Sequence, residues 1–196
     1  MNRLMIRIAV IGEIGSGKSH IAKQFGGPVF NADNVVNKIY KKNKKCYIRL
    51  KKEFPNYITS FPIKKNNLTR VILQNPKNIR KINKVIHPKV RFEMNKFIKK
   101  NKNRKFVILD IPLYLENKIN KKNDIIIFVD AVKKIIFKKL KKRRNFNPRI
   151  IKVLKKLQLP VETKKNRSDF VIKNNFNNKL LKKNVKMLVK KIIKNA

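Results

Sequence analysis

Apolar residues fall along this chain in two rhythms. Short unbroken runs occur at Ile6–Ile11, Phe106–Leu109, Ile125–Val129 and Phe170–Ile172, with a briefer one at Val29-Phe30. Such runs, rich in β-branched residues and bounded by turn formers, predict strands buried on both faces, as in a parallel sheet. Ile125–Val129 is apolar throughout and is expected to be central. Between the runs, apolar residues return every three or four positions, the spacing of a helix with one inner face. Helices are predicted over Ser19–Phe25, from Asn34 to Tyr40, around Tyr47–Phe54, over Leu68–Leu73 and Ile79–Ile86, after His87-Pro88, over Ile135–Arg143 and over Leu180–Ile193. Asn75-Pro76 and His87-Pro88 are read as breaks between helical pieces. Residues 144–166 are polar or basic apart from spaced Ile151, Leu154 and Leu157, and predict a helical lid. Strands alternating with helices give a doubly wound α/β sheet, which binds ligands at the carboxyl ends of its strands.

Length and composition fit one domain. At 196 residues the chain can bury a proper core, and no internal repeat is visible. No apolar run approaches the roughly 18 residues of a membrane-spanning helix. The chain enters a strand almost at once, so no cleavable leader is expected, and one cysteine, Cys46, fits a reducing compartment. A cytoplasmic protein is expected. The 53 Lys and Arg against 10 Asp and Glu give a formal charge of +43. That charge suits a nucleic-acid binder, but it is spread over nearly every helix and loop instead of one stripe with interleaved aromatics. A bias toward lysine, asparagine and isoleucine accounts for it better. No dedicated nucleic-acid partner is expected, although any polyanion will be attracted in a salt-dependent way.

Chemistry enters with Gly12-Glu13-Ile14-Gly15-Ser16-Gly17-Lys18-Ser19, a G-x-x-x-x-G-K-S phosphate loop between a predicted strand and a predicted helix. All five glycines of the chain, Gly12, Gly15, Gly17, Gly26 and Gly27, lie in this loop or at the end of its helix. The glycines let successive backbone N–H groups face an anion, and the helix N-terminus adds partial positive charge. Lys18 is then placed to reach the outer phosphates, and the Ser19 hydroxyl to enter a Mg²⁺ shell.

The ten acids allow a search by elimination. Glu53, Glu93 and Glu162 fall on predicted helices or the lid. Asp124 and Asp169 precede their strands, at the end away from the loop, and Asp130 is expected to cap the helix after the fourth strand. Asp33 and Asp110 remain, at the ends of the second and third strands, with Glu116 just beyond. Phosphoryl transfer asks mainly for orientation and charge neutralisation, so Asp33 suits an acceptor-orienting base and Asp110 a Mg²⁺-supporting acid. A helix N-cap is the other reading of Asp33.

Taken together, the motifs resemble the dephospho-CoA kinase family. Alongside the phosphate loop they are Asn31-Ala32-Asp33, Ile86-His87-Pro88-Lys89-Val90, Asp110-Ile111-Pro112-Leu113-Tyr114-Leu115-Glu116, Arg143, Gln158 and Ser168-Asp169-Phe170-Val171-Ile172-Lys173-Asn174. The resemblance implies a three-layer P-loop kinase of nucleoside-kinase type, with five parallel strands. Its core would span 5–40, 104–143 and 167–196, its acceptor-side helical insertion about 41–103 and its lid about 144–166. It implies ATP as co-substrate with Mg²⁺ and dephospho-CoA as acceptor; the oligomeric state is left open by the sequence, with a monomer favoured. By the same analogy Gly12 and Gly15 to His20 (Ser16, Gly17, Lys18 and Ser19 among them) hold the ATP phosphates. Asp33 faces the acceptor hydroxyl, Arg143 closes with the lid, and Asn174 lies near the adenine. His87, Pro112, Leu113 and Glu116 would line the acceptor side. On the sequence alone, His87 reads as a helix-start residue sooner than as a ligand. The chain departs from the family pattern at Glu13 (for glycine), His20 (for threonine), Asn31 (for aspartate) and Lys139 (for arginine). Another small-molecule or nucleotide kinase, or a basic nucleic-acid binder on the same fold, are the competing readings.

Overall fold

A computed structural model describes residues 5–143 and 146–195. Five strands, β1 (Ile6–Gly12), β2 (Val29–Asn31), β3 (Phe106–Asp110), β4 (Asp124–Ala131) and β5 (Phe170–Asn174), form one wholly parallel sheet in the order β2-β3-β1-β4-β5. β1 is the middle strand, hydrogen-bonded to β3 from Ile6 to Ala9 and to β4 from Arg7 to Gly12. The expected centre, β4, is interior but sits one place off the middle.

Alternation along the strands sends successive side chains to opposite faces. Ile8, Val10, Ile108, Ile127 and Val129 pack on one side against α1 (Lys18–Gln24) and α9 (Asn178–Lys194) through Ile21, Ala22, Leu181, Val185 and Ile192. Ala9, Ile11, Leu109, Ile126 and Phe128 pack on the other, against Ala32, Met94, Tyr114 and Leu115. A third core lies outside the sheet, within α2 (Ala32–Lys42), α3 (Lys44–Glu53), α4 (Lys65–Gln74) and α5 (Asn78–Lys100), around Leu50, Ile58, Val71, Ile82 and Val85. Of its helices, α3 to α5 fall within the expected insertion of about 41–103, while α2 contributes Ile39 from before it. No helix among the described residues is long and apolar enough to cross a membrane.

Two sequence expectations and one alternative reading are corrected. Ile79–Ile86 and the helix after Pro88 are one continuous helix, α5, with Pro88 inside it. Proline removes one N–H bond to the carbonyl four residues back. Here both Pro88 and Lys84 are exposed, so water can serve the freed carbonyl, while Ile79, Ile82, Val85, Ile86 and Met94 hold a continuous buried face. His87 therefore starts no helix. Asp130 caps no helix either. β4 runs on to Ala131, α6 (Lys133–Lys141) has Val132 at its N-cap, and the Asp130 carboxylate meets Lys165 at 3.3 Å. Nor is Asp33 an N-cap: Asn31 fills that position, its side chain accepting the Asn34 N–H at 2.8 Å.

The segment expected as a lid forms α7 (Pro148–Lys156) and α8 (Val161–Asn166); residues 144 and 145 of it lie outside the described residues.

Candidate active site

The carboxyl ends of the strands bring the candidate residues together. The loop from Gly12 to Gly17 leaves the middle strand and opens α1. Two of its glycines are obligatory in physical terms. Gly17 has φ +91°, and a Cβ there would lie 2.5 Å from the Asn174 amide nitrogen. Gly12 has φ +151°, and its Cβ would lie 2.8 Å from both Ser16 Oγ and the Val129 carbonyl. The loop is thus pressed against β4 and β5, and only glycine permits the approach.

Asn174, at the end of β5, holds the loop from behind. It is 2 % exposed and donates from Nδ2 to the Ser16 carbonyl at 2.8 Å, while its Oδ1 accepts the Phe176 N–H at 2.9 Å. Both ends of the amide are engaged. Phe176 has a positive φ of 62° and lies under the Lys139 ammonium, 4.6 Å from the ring centroid. Ser19 and His20 are exposed at the start of α1, and His20 Nε2 lies 3.0 Å from the Asn178 side-chain oxygen.

Lys18 folds back on the loop, donating to the carbonyls of Gly12 at 3.1 Å and Glu13 at 2.6 Å. Burial pushes its pKa down from 10.5 to about 8; the Asp110 and Asp33 carboxylates oppose that shift, and the Lys164 and Arg143 cations add to it. Those groups mark out one electrostatic neighbourhood. Asp110 is 3 % exposed at the end of β3 and accepts a hydrogen bond from Asn31 Nδ2. Asn31 thus caps α2 with its oxygen and steadies Asp110 with its nitrogen, which gives the Asn31 departure a physical role. Asp33, in the first turn of α2, is exposed. Its pKa is raised, first by the protein that displaces water around the carboxyl and then by the Asp110 charge, with Lys65, Lys18 and Arg143 pulling the other way. Arg143 is exposed just past α6, and its charge still reaches Lys18 and Asp33.

The loop after β3 forms the other wall. Pro112, Leu113 and Glu116 share a small cavity with Gly12, Lys18 and Lys164. Leu113 adopts φ 57°, a left-handed conformation that is costly for a γ-branched side chain and concentrates at functional sites. Glu116 Oε1 accepts the Leu159 N–H at 2.9 Å, which ties this loop to the segment between α7 and α8. His87 stands mid-helix on α5, half-buried, with its pKa lowered by burial and then by Arg91; it is not among the residues lining that cavity.

Four of the other acids are engaged elsewhere. Asp124 and Asp169 serve the sheet, the first pairing with Arg7 and the second accepting the Ile126 N–H at 2.7 Å. Glu53 and Glu93 pair with Lys81 and Lys89 near the surface. Glu13 lines the groove between α6 and α7, whose rim carries Lys133, Lys152, Lys155 and Lys156.

A family model described as dephospho-CoA kinase matches residues 6–179. The chain belongs to the dephospho-CoA kinase family. Among curated relatives, the dephospho-CoA kinase of the Wolbachia endosymbiont of Brugia malayi is 35 % identical over 170 residues, 84 % of this chain and 87 % of the relative. That of Zymomonas mobilis is 31 % identical over 176 residues, covering 88 % and 89 %. Among solved structures, a Thermus thermophilus protein superposes with a TM-score of 0.77 at 24 % identity, covering 95 % and 97 %. A Campylobacter jejuni dephospho-CoA kinase gives 0.62 at 22 %, covering 95 % and 96 %. A Bacteroides thetaiotaomicron shikimate kinase still gives 0.51 at 14 %, so the fold itself is that of P-loop kinases. A five-stranded parallel core with helical insertion and lid segments is the form the dephospho-CoA kinase family takes in this chain.

One residue escaped the sequence reading. Lys164, on α8, is 2 % exposed, and its pKa is lowered by burial. In a chain with 53 basic residues a buried lysine has no compositional mark. The only available signal was periodicity, since Val161 and Lys164 stand three apart and share the inner face of one helical turn.

Proposed function

We propose that the protein transfers the γ-phosphoryl group of ATP to the ribose 3′-hydroxyl of dephospho-CoA, giving coenzyme A and ADP. The carrying observation is the meeting of two walls: the Lys18 loop on one side, and Asp33, Asp110 and the 112–116 loop on the other. ATP phosphates lie along the backbone N–H groups from Gly15 to His20, with Gly12 allowing the loop its close turn and Lys18 swinging from its carbonyls to the γ-phosphate. Arg143 adds charge from the lid side, and Asn174 shapes the loop beside the adenine. The acceptor lies against His87, Pro112, Leu113 and Glu116, with its hydroxyl directed at Asp33. The raised pKa of Asp33 makes it a better proton acceptor than an ordinary aspartate as the oxygen–phosphorus bond forms.

Mg²⁺ fits the donors present. Ser19 offers an exposed hydroxyl, and Asp110 a buried carboxylate with one oxygen held by Asn31. Mg²⁺ characteristically takes one or two such oxygens plus waters and substrate phosphates. Ser19 and Asp110 would hold it, and it would supply neutralising charge to the phosphates during transfer.

A coupled assay of ADP release, with and without dephospho-CoA, tests the reading; release that dephospho-CoA does not stimulate would sink it. Asp33→Ala is expected to lower kcat by about 10²–10⁴-fold while leaving ATP affinity nearly intact.

A further inference from the structure

Lys164 is the one buried residue of α8. No carboxylate among the described residues lies within 4 Å of its ammonium group. Glu116 and Glu13 are the acids whose charges favour its protonated form. One Glu116 oxygen is already taken by the Leu159 N–H, and the neighbouring Asp130 pairs with Lys165. Lys164 instead lines the cavity that holds Lys18, Gly12, Pro112, Leu113 and Glu116. Its charge lies close enough to Lys18 to push that pKa further down.

Two ammonium groups lining one small cavity, Lys18 partly and Lys164 wholly buried as residues, are unfavourable by themselves, through both desolvation and mutual repulsion. An anion placed between them reverses the sign of both effects. We propose that Lys164 is a second catalytic ammonium, facing Lys18 across the cavity and neutralising the phosphoryl group in flight. The proposal rests on the kinase reading. In that step the bond from the γ-phosphorus to its bridging oxygen breaks, and the electron pair stays on the departing ADP. The acceptor oxygen bonds to phosphorus, and its proton passes to Asp33. Charge spread over the equatorial and leaving oxygens then meets Lys18 from the phosphate loop and Lys164 from the lid segment. The Glu116 bond to the Leu159 backbone fixes the α7–α8 turn, and so carries α8 to a set position against the acceptor wall. A hydrophobic residue there would hold α8 equally well, so packing gives no reason for a charge at this position.

Full-length Lys164→Met and Lys164→Arg proteins test this. Lys164→Met is expected to lower kcat by about 10²–10³-fold, the scale of losing one charge-stabilising donor. ATP affinity should stay within about threefold, and the thermal midpoint should hold or rise as an unpaired charge gives way to an apolar chain. Affinity for ADP, Mg²⁺ and aluminium fluoride with dephospho-CoA, which mimics the phosphoryl in flight, should fall by the same factor as kcat/KM. Lys164→Arg should recover at least about tenfold of the lost rate, because charge is kept though the geometry differs.

A kcat for Lys164→Met within about threefold of wild type overturns the proposal. So does a lower thermal midpoint with equal loss of ATP and mimic affinity, which would mark Lys164 as a structural contact. If Lys164→Met does not fold, Lys164→Gln is measured against the same criteria, and failure of both to fold assigns the ammonium to stability and overturns the proposal. Wild-type protein whose ADP release ignores dephospho-CoA overturns the acceptor assignment instead; binding of ADP with aluminium fluoride alone then decides the role of Lys164.

Discussion

The two ends of the sheet treat buried positive charge in opposite ways. Toward the amino ends, Arg7 on β1 is 9 % exposed and ion-paired with a carboxylate. Its Nε and Nη2 reach the Asp124 carboxylate at 3.0 and 3.2 Å, and Nη2 also reaches Tyr114 Oη at 3.1 Å. Tyr114 and the Lys121 N–H both donate to Asp124 Oδ2, at 2.6 Å each. Burial, then the hydrogen bond to Asp124, raises the Tyr114 pKa and keeps the phenol protonated. Toward the carboxyl ends, among the described residues, Lys18 has only backbone carbonyls for partners and Lys164 has no carboxylate in ion-pairing range. A buried cation whose partners are all within the protein is scaffold. One whose partners are missing is waiting for an anion. Tyr114 connects the two regions, since it belongs both to the Arg7 network and to the loop lining the Lys18 cavity.

Breaking the paired end should give the largest effect. Asp124→Ala leaves the Arg7 guanidinium buried and uncompensated, and such losses cost about 3–5 kcal/mol. Denaturant unfolding is the measurement, and a loss under about 1 kcal/mol would show that water reaches Arg7 and that the two ends are not opposites after all. Replacing the pair together, with Arg7→Met and Asp124→Leu, should recover much of the loss, because well-packed apolar residues often match a buried ion pair.

The same operation at the unpaired end should spare stability and damage function. Lys18→Met removes hydrogen bonds to two carbonyls but also removes the burial of a charge, so the net change in unfolding free energy should stay within about 1 kcal/mol. The rate is another matter. Loss of kcat by about 10²–10³-fold is expected, from the charge no longer offered to the γ-phosphate. A Lys18→Met protein as destabilised as Asp124→Ala would erase the contrast.

The contrast also explains what could be read from the sequence and what could not. The phosphate loop was legible because chemistry fixes its letters and their spacing, and because its flanking strand and helix have opposite hydrophobic periods. Asp110 was legible through scarcity, ten acids leaving few at the right strand ends. Lys164 was hidden by the reverse condition, one functional lysine among many solvated ones, distinguished only by which way its helix turns. The break assumed at Pro88 failed because propensity is local, whereas the buried face from Ile79 to Met94 runs straight through the proline. Asn31 was legible only as a departure from aspartate, and only the contacts show that its amide accepts from Asn34 and also donates to Asp110, where an aspartate could do only the first.

The smallest effect sharpens the comparison most finely, because it reads the missing partner directly as protons. With its pKa lowered to about 8, Lys18 is charged in the free protein below that pH and loses its proton above it. ATP phosphates, fully ionised in that range, favour the charged ammonium and draw the pKa back up. ATP binding should therefore take up a proton at pH 9, approaching one per site, and almost none through Lys18 at pH 6.5. Affinity should correspondingly weaken as pH rises through about 8. Calorimetry in two buffers of different ionisation enthalpy measures the uptake. Lys18→Arg, which stays charged throughout, should abolish most of it; whatever uptake persists reports Lys164, the other ammonium that burial has weakened. An uptake that survived Lys18→Arg in full would move the waiting charge from the phosphate loop to the lid.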